Sequence, residues 1–570
     1  MNVKIVVSNI NIYTALGALI TIPRHGFSRL TNSDQLTTST ANFMPRFQNV
    51  SHQSCTIYRK ISFHVFFAAF WMILLSGCAA TTAIDPTNAA VPAGHGLLVA
   101  RILTNNPVVP IDFSHSTLSL KESQTGEKFE MSSKTTAGDA EALFFAALPS
   151  GHYQLTHLVA PQGGNTITAP LDELTKGFDI TAGHVTDIGA LVMAFDSVGP
   201  RSGSYRISVI SNENDTKVIL KMIPSNVLTN LSDTHPEQRD ISLDPVSNQH
   251  ELSLAKRRSA VIVQSQPVEG QTVAFGRALG IVSLWSPDTQ QWKTLDTGSS
   301  FNVRSVSLLR DGTLLVGCEH GLVFNVGKNG EVRPITPPAE GTVLFAGQGK
   351  DDEYLVVLRN KQVITISGSR GLAPANWHEL KRFELEYGNS LHSSVQTGIA
   401  NDRLVLIVGA LGFTASTTIH SMELGSHTWV DNPTDLTSLV VPTFSILGDG
   451  TLLTSSGTAF TRKLHRSADF GKSWKSTPIE NWMTTVIPRN LQTIYVPRID
   501  HIGLFEKDST VSLMKSDDGG NSWSPQGELP KFMTDLYVLP RMGWLAVKTQ
   551  VGDLYLSSDD GKTWRFSPMR

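Results

Sequence analysis

"SSDDGKTW", residues 557–564, puts two aspartates, a glycine and a tryptophan in eight positions. Such a stretch could hold a metal, supply a catalytic carboxylate or turn the chain. It recurs as "SADFGKSW" at 467–474 and "SDDGGNSW" at 516–523. The shared order is Ser-x-Asp-x-Gly-x-Ser/Thr-Trp. It selects Ser467, Asp469, Gly471 and Trp474, then Ser516, Asp518, Gly520 and Trp523, then Ser557, Asp559, Gly561 and Trp564. The three tryptophans are 49 and 41 residues apart, and weaker echoes end at Trp292, Trp377 and Trp429. With one phase near Pro337 lacking its tryptophan, the series steps by roughly 45 residues, the repeat length of a four-stranded propeller blade. About seven such units fit from residue 257 to residue 570.

The last unit displays its strands openly as "DLYVLP", "WLAVKT", "DLYLSS" and "TWRFSP". The motif falls between the third and fourth of these, so it reads as a hairpin turn. There the aspartate accepts backbone N–H bonds, glycine takes a left-handed backbone, and the Ser/Thr hydroxyl closes a second local bond. The tryptophan then opens the fourth strand and packs on the neighbouring blade. An EF-hand would need further oxygen ligands and a later glutamate, which no copy has, so no metal is expected here. The pattern resembles the Asp-box, or BNR repeat, of sialidases, sortilin-type receptors and photosystem II assembly-factor-like propellers. That resemblance implies that the turns lie on the rim, away from a central binding face.

The rest of the chain agrees with an all-β reading. Its 570 residues exceed one ordinary domain. Short Val/Ile/Leu/Phe-rich segments are broken by 45 glycines and 28 prolines, with no long helical periodicity. A net charge of −3 leaves no electrostatic footprint for nucleic acid.

One apolar run, Ile61 to Leu75, follows Arg59 and Lys60 and ends in Leu75-Ser76-Gly77-Cys78. Its length is short for a bilayer span and right for a signal-peptide core. The ending resembles the bacterial lipobox, which implies lipidation at Cys78. Alanine after that cysteine resembles the signal for transport to the outer membrane, facing the periplasm. Residues 1–77 are therefore expected to be a signal peptide with an over-extended start, Met44 being the better initiation point. Removing Cys55 and lipidating Cys78 leaves only Cys318, so no disulfide is expected in the mature monomer.

Residues 78–94 are expected to be a lipid-anchored tether. From 95 to 210, apolar strands such as "HGLLVARIL" and "EALFFAALPSGHYQL" alternate with turns and resemble small transthyretin-like β-sandwiches. His95, His152, His157 and His184 lie near these turns without zinc-ligand spacing and read as turn or surface residues. Polar residues 211–256 are expected to form a linker with one short helix around 218–228. The expected fold is thus an N-terminal β-sandwich followed by an approximately seven-bladed β-propeller.

No catalytic residue and no cofactor is assigned. The expected role is a lipid-anchored cell-envelope binding or scaffold protein, touching the membrane through its lipid and an envelope protein or glycan through its propeller. The alternative is a sialidase-like exo-glycosidase. Against it, no Arg-Ile-Pro occurs, and Arg304, Arg333, Arg359, Arg403, Arg489 and Arg498 lack a recognisable context. Tyr495 and Glu480 could be brought together as a tyrosine–glutamate pair, though no motif places them. Loops 371–380, 411–417 and 496–503 are candidates for lining one binding face, with Trp377, His378, Arg498 and His501 as its residues.

Overall fold

A computed structural model describes residues 81–82, 90–105, 113–134, 141–162, 165–199, 202–268, 270–336, 339–385, 393–410, 417–434, 436, 443–457, 462–480, 483, 485–501, 510–549 and 552–569. The signal, Cys55 and Cys78 lie outside them.

Two sheets form the N-terminal body. One pairs Thr117–Glu122, Lys128–Ser132, Gly151–Gln162 and Asn165–Pro170. The other runs in the order Ser202–Ile210, His184–Gly199, His95–Thr104, Glu141–Pro149. Between them lies a core of Leu98, Ala100, Ile102, Leu118, Leu120, Phe144, Tyr153 and Leu155. Tyr153 packs edge-on against Phe129 and donates its hydroxyl to Pro149 O at 2.9 Å, so its one polar atom is satisfied.

The second sheet is covered on its other face too. Leu97, Val99, Leu143, Phe145 and Val185 point away from the sandwich core into a second cluster. This explains why "ALFFAAL" is continuously apolar, and "LLVARIL" is so except for Arg101, rather than alternating.

What covers that face corrects the linker reading. Residues 211–256 contain α1 (Glu213–Met222), α2 (Ser225–Leu228), a strand Asp233–Gln238 that joins the second sheet, and α3 (Pro245–Arg257). Asn212 caps α1 by accepting from Asn214 N and Asp215 N, and Asp244 caps α3, where Pro245 sits at the first turn. Ile219, Ile223 and Val227 pack with sheet residues on one side and propeller residues Phe301, Val303 and Val316 on the other. The segment is a wedge between two bodies. It reads as polar because only one stripe of each short helix is apolar.

Seven four-stranded antiparallel sheets follow, each built from consecutive strands. Blades 1 to 7 begin with the inner strands Val261–Gln264, Val303–Leu308, Thr342–Gln348, Ser393–Ala400, Phe444–Ile446, Ile487–Pro488 and Met533–Val538. Blade 2, whose outer strand is Val332–Ile335, is the unit that lacks the tryptophan. The fold is all-β with a propeller, as the repeat predicts.

Among the described residues no strand is exchanged to close the ring, and side chains join the first and last blades. Val261, Phe275 and Trp285 of blade 1 pack with Trp544, Leu554 and Met569 of blade 7. Lys548 Nζ donates to Val261 O at 3.0 Å, and Gln264 Nε2 to Val538 O at 2.8 Å.

Candidate functional site

In every blade the first-to-second and third-to-fourth turns share one edge, called here the lower face. The second-to-third turn and the connection to the next blade share the other, the upper face.

The three repeated turns are lower-face hairpins with one geometry. Asp559 accepts from Ser557 Oγ (2.7 Å), Thr563 N (3.0 Å) and Thr563 Oγ1 (2.7 Å), while Ser557 Oγ accepts from Gly561 N at 2.8 Å. Asp518 repeats this with Ser516 Oγ (2.8 Å), Ser522 N (2.9 Å) and Ser522 Oγ (2.6 Å), and Asp469 with Ser467 and Ser473. Gly471, Gly520 and Gly561 have φ of +87°, +93° and +86°. A Cβ on Gly561 would lie 2.2 Å from Leu513 of blade 6. Trp474, Trp523 and Trp564 pack against the preceding blade through Ile419, Leu464 and Leu513.

Both oxygens of each aspartate are therefore occupied by the turn itself. Hydrogen bonds led by Ser522 hold the Asp518 carboxyl down at about 2. At Asp559 burial pushes the pKa up, but bonds from Thr563, Ser557 and Lys562 outweigh it and also leave it at about 2. Among the described residues no group of three or more His, Cys, Asp or Glu side chains is placed to hold a metal.

The four candidate face residues do not meet, which corrects the reading of a shared face. Trp377 and His378 follow the third strand of blade 3 and lie on the lower face, where the His378 ring is 6.5 Å from His427. Arg498 and His501 end the second strand of blade 6 and lie on the upper face. There Arg498 bridges Glu480 (3.1 Å) and Asp500 (2.8 Å). Of the candidate loops, residues 411–416 and 502–503 lie outside the described residues. Sequence reasoning grouped these positions by loop character and could not see on which edge each loop emerges.

Tyr495 and Glu480 are separated in the same way. The Tyr495 hydroxyl donates to Asp560 Oδ1 at 2.5 Å on the lower face, while Glu480 is on the upper face with Arg498. The six arginines are dispersed. Arg304 pairs with Glu319, Arg333 with Glu331, Arg489 donates to Leu539 O and Trp544 O, and Arg403 lies over the Phe470 ring. Arg359 donates to Lys361 O.

The central channel is bridged at its lower mouth. Gln266, in the first turn of blade 1, reaches across the axis to blades 4 and 5. With its amide turned so that nitrogen and oxygen face complementary partners, it donates to Ile399 O (3.0 Å) and accepts from Gly448 N (3.1 Å).

The sandwich docks on the upper face over blades 1 and 2, through a buried polar lock that sequence reasoning missed. Asp215 of α1, 0% exposed, accepts from Ser299 Oγ (2.8 Å), Ser300 N (2.8 Å) and Ser300 Oγ (2.6 Å) in the blade 1–2 connection. Arg101 of the sandwich, 2% exposed, donates to Ser300 Oγ at 3.0 Å and lies 3.7 Å from Asp215. Beside it the sandwich residue Glu141 hydrogen-bonds His320 of blade 2, whose backbone has φ +55°. Burial raises the Glu141 pKa, but the charge and hydrogen bond of His320 bring it below the ordinary value. Burial likewise lowers His320, and the neighbouring Glu141 more than offsets this, so its pKa is raised. The buried Cys318 thiol lies in the same cluster, and burial pushes its pKa well up.

Comparison with known protein families and with curated proteins finds no match. Among solved structures the chain is similar to the β-propeller domain of Cps50 (Swd1) from Myceliophteria thermophila, at 15% identity over 52% of this chain and 96% of that one, TM-score 0.38. It is also similar to YCF48 bound to D1 peptide, at 13% identity over 53% and 91%, TM-score 0.38. A third is a catalytically inactive virginiamycin B lyase from Staphylococcus aureus with quinupristin, at 11% identity over 51% and 92%, TM-score 0.36. The likeness is one of fold, to β-propellers, and extends to no activity.

Proposed function

We propose that the chain is a lipid-anchored cell-envelope protein whose propeller is a non-catalytic interaction surface for an envelope protein or glycan. The observation that carries the reading is the separation of the hydrolase candidates. Tyr495 is tied to Asp560 on the lower face, Glu480 to Arg498 on the upper, and the arginines serve different blades. A propeller needs no moving part to bind; its ends present loops from every blade on a stiff frame. Here that frame extends into the sandwich, because the wedge and the buried lock leave no free hinge between them. A lipid at Cys78 would hold this body at the outer membrane, facing the periplasm.

Detergent-phase partitioning tests the anchor. The full chain should enter the detergent phase and Cys78→Ser should not; equal partitioning would refute it. Cross-linking of the anchored chain in intact envelopes should recover a reproducible protein or glycan partner. Hydrolysis of a fluorogenic sialoside at enzymatic rates would instead make the propeller a glycosidase.

A further inference from the structure

A cleft of about 1150 Å³ opens on the upper face at the seam where the ring closes. Helix α3 forms one wall, blade 1 the second, and blade 7 the third. The volume is at or above the roughly 300–1,000 Å³ of small-molecule pockets.

Its charges are unequally compensated. Lys256 is neutralised by Asp296 at 2.7 Å. Arg277, 1% exposed, is held only by neutral acceptors: Ser259 O (3.0 Å), Ser283 Oγ (3.0 Å), Arg257 O (2.7 Å) and, more loosely, Lys256 O (3.5 Å). Among the described residues no carboxylate pairs with it. Burial pushes its pKa down to about 10, so it stays cationic at neutrality. Arg257 and Arg258 are both exposed in the lining; Arg258 faces the charge of Asp553, and Arg257 adds a further positive charge at the mouth. A buried cation without a counter-charge is costly, and an anion entering the cleft would relieve that cost.

The remaining lining argues for what carries the anion. Leu252 and Phe566, the latter 56% exposed, offer apolar surface on opposite walls. Asp553 adds carboxylate acceptors for peptide N–H donors, while Asp296 is already taken up by Lys256 and Gly298 N. Separated apolar patches, acceptors and a cationic floor match a polypeptide segment better than a lipid headgroup, whose acyl chains would need one continuous apolar groove.

We propose that this cleft binds an acidic peptide segment of a partner protein, its carboxylates facing Arg257 with Arg277 beneath and an apolar side chain seated between Leu252 and Phe566. The proposal rests on the binding reading above but not on the lipid anchor.

The test is fluorescence anisotropy with the full chain in detergent. The probe is a labelled octapeptide of alternating glutamate and leucine, compared with its glutamine–leucine analogue. The acidic peptide should bind at least about tenfold more tightly, with an advantage that fades as salt screens it. Arg257→Glu should remove that advantage, Arg257→Gln should halve it or more, and Phe566→Ala should weaken both peptides. Arg382→Glu, on the outer strand of blade 3, should change nothing. Melting curves identify any variant that has unfolded. Equal affinity for the two peptides, an unchanged Arg257→Glu, or binding to phosphatidylglycerol vesicles without peptide binding would overturn the proposal. A chain that fails here yet partitions with its lipid and still captures a partner would sink the cleft alone.

Discussion

Replacing Asp559 by alanine removes a carboxylate that accepts three hydrogen bonds from its own turn. The folded pKa of about 2 lies below the ordinary 3.8. The difference corresponds to about 2 kcal/mol favouring the folded state when the carboxylate is charged. The group is partly exposed, so water can replace some of the lost partners, and a cost of about 1–2 kcal/mol at pH 7 is expected. The sign follows from the depressed pKa. The stabilisation is fully present above the unfolded pKa near 4, and it is lost as pH falls from there towards 2. Thermal melting of Asp559→Ala and wild-type chains at pH 7 and pH 3 measures this. A shift of about 2–5 °C at pH 7 is expected, reduced by roughly half at pH 3. Asp559→Asn, which keeps the shape without the charge, should show a smaller cost that falls by the same amount between pH 7 and pH 3, because the titrating group is the wild-type carboxylate. An unchanged melting temperature for Asp559→Ala, or a cost that is the same at both pH values, would refute the assignment of the carboxylate to the turn. So would lost partner binding in a variant that melts normally.

Asp215→Ala should be the more damaging change, because it leaves Arg101 buried without its counter-charge and strips the Ser300 amide of its acceptor. A loss of about 3–5 kcal/mol is expected, read as a lowered denaturant midpoint and new protease cleavage between the sandwich and blade 1; an unaltered midpoint would contradict the lock. At His320 the raised pKa means that the Glu141 contact is strongest below the unfolded value of 6.5 and weakens as pH rises through the folded value. The wild-type midpoint should therefore fall between pH 6 and pH 9 by more than that of His320→Gln; parallel pH profiles would show that the pair does not couple to docking.

The hairpin turns were legible from residue order because their partners are all local. A serine, an aspartate two positions on and a glycine at four satisfy one another within eight residues, and the tryptophan that follows must then open a strand. The spacing of that unit sets the blade count, since each repeat buries its apolar faces only against its neighbours. Apolar runs such as Leu143–Leu148 were legible as strands, but that they are buried on both faces came only from the structure.

Tertiary structure decided the rest. Asp215 lies in "SNENDTKVIL", which reads as a solvated linker, and is fully buried only because Ser299 and Ser300, 84 and 85 positions later, supply donors. Glu141 and His320 are 179 positions apart. Whether a loop emerges on the upper or the lower face depends on strand parity within its blade, which is why Trp377 and Arg498 were grouped by character and proved to be on opposite edges. A polar group satisfied by its own turn leaves a local signature, while one satisfied across a domain boundary leaves none.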